Sequence, residues 1–106
     1  MIVVTTDHMT GYRVTKVFGL VQGSSVRARH VGHDILAFLK NLTGGEIREY
    51  TKLLAESREQ SLDRMREEAA KMGANAVVGL RFSSADISQG SSELLVYGTA
   101  VQIERE

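Results

Sequence analysis

The sequence predicts an α+β domain of two layers, an antiparallel sheet packed by one long helix and one short helix. Three observations carry this. A long charged segment of helical period ends at Lys71-Met72-Gly73 and turns straight into the apolar run Ala76-Val77-Val78-Gly79-Leu80. Runs rich in β-branched residues lie on both sides of the helical segments, at Ile2–Thr5, Arg13–Arg29, Ala76–Ser83 and Glu93–Glu104. The chain has 106 residues, enough for a single domain spanning 1–106 and too few for two hydrophobic cores of ordinary size.

Each element has its own signal. Ile2–Thr5 is a short β-branched strand, and Asp7–Gly11 has the composition of a turn. In Arg13–Arg29 the apolar residues Val14, Val17, Leu20, Val21 and Val26 recur, and Gly19 and Gly23 interrupt them. That pattern predicts two short strands, with a bulge at Gly19 and a hairpin turn at Gln22-Gly23-Ser24. From Val31 the period becomes helical: Ile35, Leu36, Phe38, Leu39 and Leu42 share a face until Thr43-Gly44-Gly45 ends the segment. Gly44-Gly45 is then a hinge to a second helix over 46–72.

On that helix Ile47, Tyr50, Leu54, Ser57, Ser61, Met65, Ala69 and Met72 recur every three or four residues, and charged residues fill the other face. Its stability comes mainly from packing this stripe on the sheet. Met65 and Met72 belong to that stripe as packing residues, not copper ligands. Gly73 is placed to form the left-handed cap. Two strands follow, joined by a hairpin loop at Ser88–Ser92, with Gly98 marking a bulge or a close-packing point in the last.

Composition bounds the function. Thirteen basic and 13 acidic residues leave no net charge, so the basic footprint of a nucleic-acid binder is missing. There is no cysteine, which excludes disulfides, thiolate catalysis, zinc–thiolate sites and iron–sulfur clusters. The N-terminus lacks the basic start and apolar core of a signal peptide, and no run approaches the ~20 apolar residues that span a bilayer. A cytoplasmic protein without membrane contact is the expectation.

Several residue groups together resemble a known family. Thr5-Thr6, Gly19-Leu20-Val21-Gln22-Gly23, Gly44-Gly45, Leu62–Glu68, Gly73-Ala74-Asn75-Ala76-Val77-Val78-Gly79 and Gly98-Thr99-Ala100-Val101 resemble the pattern of the YbjQ-like family of small bacterial proteins. The likeness spans nearly the whole chain, and the Gly73–Gly79 and Gly98–Val101 motifs together are its most specific part. It implies a subunit similar to that of dodecin, association into a homopentameric ring, a heavy-metal-binding label and no assigned enzymatic reaction.

The residues themselves offer one metal-ligand constellation. His30 and His33 are three apart, and Asp34 is four from His30; at the start of a helix all three share a side. Two imidazoles and a carboxylate suit a divalent ion such as zinc, nickel or copper. The competing reading is a polar helix start, with Asp34 favourable near the positive end of the dipole. His8 could join the set from the preceding loop, although a solvated loop histidine is the simpler account.

Other groupings carry less. The glycines of 7–11 and 19–25 do not form a phosphate-binding fingerprint. Glu49 and Tyr50, after the double glycine, could edge a pocket, and Glu49 or Asp86 would matter if buried at a subunit boundary. Ser83-Ser84 and Ser91-Ser92 lack the surroundings of a catalytic serine. The expected function is a non-enzymatic, self-assembling domain that binds a metal ion or small ligand. Its rivals are a structural or protein-interaction module, and an enzyme with its active site at an interface.

Overall fold

The computed structural model describes residues 1–28, 44–88 and 91–106. Its elements are β1 (Ile2–Val3), β2 (Tyr12–Ala28), α1 (Gly44–Met72), β3 (Ala76–Ser88) and β4 (Ser91–Arg105). One four-stranded sheet has the order β1-β3-β4-β2. The long helix stands where the sequence placed it, except that Gly44-Gly45, expected as a hinge before it, are its first two residues; strands lie on either side of it as expected. The short helix expected over 35–42 lies outside the described residues.

The sheet is mixed, a correction to the antiparallel expectation. β2 and β3 each run antiparallel to β4, but β1 pairs parallel to β3, Ile2 with Ala76 and Val3 with Val77. β1 and β2 therefore run the same way at opposite edges. Residues 4–11 must carry the chain between those edges, and apolar side chains there bind them to the sheet. Val4, Met9 and Tyr12 pack on a buried cluster of Ala76, Val78, Val101 and Ile103. Strand composition alone does not encode that direction.

β2 supplies the second correction. The expected pair of strands is one strand of 17 residues. Its register with β4 shifts between Val14 and Lys16 and again between Val17 and Gly19, so the bulge at Gly19 is present. Gly23 is no turn: it pairs with Val96 in mid-strand. Its missing side chain makes room for α1, because a Cβ there would run into the Ser61 carbonyl oxygen and lie 2.5 Å from the Met65 nitrogen. Glycine's role here is close approach, which sequence reading cannot separate from turning.

The main core lies between α1 and the sheet: Val21, Met65, Ala69, Ala74, Val77, Leu80, Val96 and Ala100, flanked by Val3, Phe18 and Leu62. α1 rests on β2 and β4. The buried side of α1 runs through Ser57, Ser61, Met65 and Ala69, whereas Leu54 and Met72, at either end of that stretch, are 44% and 40% exposed. Among the described side chains, Leu54 and Met72 of the expected stripe thus fall outside the buried part.

Gly73 ends α1 at φ +93°. The Ala74 N–H donates to the Ala69 carbonyl at 3.1 Å and the Gly73 N–H to that of Ala70 at 3.0 Å, the paired bonds of a Schellman cap. β3 and β4 extend further toward their hairpin than expected, pairing as far as Ser88 with Ser91. Serines there take part through the backbone, so polar side chains do not stop the ladder.

Candidate functional site

Paired residues of neighbouring strands share a face, and the register therefore sorts the sheet into two sides. Val21, Gly23, Ser25, Val96 and Ala100 lie toward α1. On the opposite side, Val14 pairs with Ile103, Val17 with Val101, Leu20 with Thr99 and Val26 with Glu93. Ile103 and Val101 are buried there beneath residues 4–12. The β2 residues on this side are not: Val14 is 43%, Val17 63%, Leu20 64% and Val26 57% exposed. Strand β2, an edge strand among the described residues, thus carries exposed apolar side chains on the face turned away from α1. Phe82 pairs with Val96 and so lies on the helix side, half-exposed.

An edge of this kind is a template for further association, and proteins usually blunt it with proline, charge or cover. The chain has no proline. The charges on β2 are Arg13, Lys16 and Arg27, and Arg13 is engaged with Glu104 at 3.1 Å. Scattered exposed apolar residues are ordinary; here Val14, Val17 and Leu20 follow one another opposite Ile103, Val101 and Thr99, and Gln22 and Ser24 separate them from Val26.

Three of the motifs behind the family likeness, Thr5-Thr6, Gly73–Gly79 and Gly98–Val101, meet at one joint. The Gly79 N–H donates to the Thr6 carbonyl at 2.9 Å and the Leu80 N–H to that of Val4 at 3.1 Å. These bonds continue the attachment of β1 past a register shift between Val78 and Arg81, where Gly79 takes φ +63°. The Arg81 guanidinium donates to the carbonyl oxygens of Thr5 at 2.9 Å and Leu80 at 2.7 Å. The Asn75 side chain clasps β4, its amide donating to the Ile103 carbonyl at 3.0 Å and its oxygen accepting from the Ile103 N–H at 2.8 Å. Gly98 packs where a Cβ would lie 2.8 Å from Val77 Cγ1 and 3.0 Å from the Val78 carbonyl oxygen, the close-packing one of the two roles expected for it. These residues secure geometry; Arg81 is the member that sequence reading passed over.

A second polar group lies beneath α1. Ser25, Ser57 and Ser61 are buried. Ser25 Oγ is 2.9 Å from Ser57 Oγ and 3.0 Å from Ser61 Oγ, and Ser61 Oγ reaches the carbonyl oxygens of Ser57 at 3.0 Å and Leu94 at 3.1 Å. Hydroxyls bonded to one another and to carbonyls make a satisfied buried network. It ties α1 to both β2 and β4.

Of the expected ligand set, His30, His33 and Asp34 lie outside the described residues. His8 is exposed, its carbonyl oxygen accepting from Thr6 Oγ1 at 2.7 Å. Among the described residues no group of three His, Cys, Asp or Glu side chains is placed to hold a metal ion. The side chains of Glu49, Tyr50 and Asp86 are likewise outside the described set. Ser83 and Ser84 are exposed on β3. The outer face of α1 forms a shallow, open groove lined by Lys52, Glu56, Glu59, Asp63, Arg64 and Glu67, charges of both signs on a solvated face. No helix of the described residues is long and apolar enough to cross a membrane.

Comparisons with known proteins agree with the likeness read from the motifs. Residues 1–104 match the model of the YbjQ family, described as "Putative heavy-metal-binding". A UPF0145 protein of Pyrococcus furiosus is 51% identical over 106 residues, covering 100% of this chain and 93% of its own. A UPF0145 protein of Thermotoga maritima is 50% identical over 105 residues, covering 99% of each. Relatives therefore occur in archaea as well as bacteria, wider than the bacterial range expected. Among solved structures, a DUF74-family protein of unknown function from Pediococcus pentosaceus has the same fold, with a TM-score of 0.64 over 98% of each chain and 15% identity.

Proposed function

This chain belongs to the YbjQ family, and we propose that it is a non-enzymatic domain that assembles with copies of itself and holds a metal ion or small ligand in the assembly. The observation that carries the assembly is the exposure of Val14, Val17, Leu20 and Val26 on the face of strand β2 turned away from α1. Burying an apolar side chain of this size contributes about 1.5–3 kcal/mol, and a second copy supplies what one small subunit lacks. The homopentameric ring and the dodecin-like subunit come from the family resemblance. Location in the cytoplasm is part of the proposal, in keeping with a cysteine-free chain.

Ligand binding rests on the family description and on His30, His33 and Asp34. A site with three protein ligands leaves a coordination position for water, a substrate or a residue from a neighbouring copy. Native mass spectrometry of tag-free protein prepared without chelator tests both halves. A pentamer carrying stoichiometric extra mass supports the whole reading. A bare pentamer removes the ligand, and a monomer removes the assembly. As a second check, zinc, copper or nickel should raise the melting temperature of the wild type but not of His30→Ala/His33→Ala. An unchanged wild-type melting temperature with all three ions would sink the metal site.

A second reading, a ligand-free interaction module, draws on the charged outer face of α1. A pull-down that recovers only the chain itself counts against it.

A further inference from the structure

No further inference is drawn: the strongest candidate, the half-exposed Phe82 patch on the helix side of β3, is an unpartnered apolar surface, and nothing in the structure shows what covers it.

Discussion

Gly23 shows how much one missing methyl group can decide. The backbones of β2 and α1 meet there with no side chain between them, and both atoms that a Cβ would strike belong to the backbone of the helix. Neither can swing aside as a side chain would. Gly23→Ala should therefore cost at least the roughly 1–3 kcal/mol typical of overpacking. A shift of the urea midpoint relative to wild type measures it, and an unchanged midpoint would mean that α1 does not lie this close. The buried serines beside it act as one network. Ser25→Ala and Ser61→Ala should each destabilise by about 1–3 kcal/mol, since each leaves a buried partner short of a bond. The double variant should lose less than the sum, because the two substitutions share partners. Strict additivity in a double-mutant cycle would show the hydroxyls to be independent.

At the scale of elements, what the sequence made legible was local. The Gly73 cap, the helical period and the β-branched runs each reflect interactions among residues close in the chain, and all are present. What it concealed depends on distant partners. Nothing in Ile2-Val3 states that β1 will run parallel to β3. The direction follows from the crossing of residues 4–11 and their packing on Ala76, Val78, Val101 and Ile103. Gly23 resembles a turn glycine because closeness to a helix that begins some 20 residues later leaves no local mark. Of the candidate site, the residue types of a metal set were readable, but a ligand set is defined by geometry, and His30, His33 and Asp34 lie outside the described residues. The cap offers a test at this scale. At φ +93° an L residue is strained although Gly73 has only the Phe18 ring nearby, at 3.8 Å. Gly73→Ala should cost about 1–2 kcal/mol through the backbone alone. Gly73→Asn should cost less, because asparagine tolerates positive φ better. Equal losses in chemical denaturation would point to packing against Phe18 instead.

For the whole molecule, the question is why strand β2 displays valine and leucine to water. Within one subunit these side chains do little: Val17 and Leu20 are about two-thirds exposed, so replacing them by aspartate removes little buried area. In an assembly that covers them, the same changes would bury two unpaired carboxylates, each at a cost of several kcal/mol. Val17→Asp/Leu20→Asp should therefore separate folding from association. The expected result is a wild type of pentameric mass and a variant that runs as a monomer, with helix content by circular dichroism retained. Loss of the helix signal would show that these residues support the subunit itself, contrary to their exposure. Retention of the wild-type mass would show that the copies meet elsewhere. Leu54→Asp is the control, since Leu54 is also an exposed apolar residue, 44% against 63% and 64% for Val17 and Leu20, but lies on α1. It should leave the mass unchanged if this face of β2 is the surface on which the copies join.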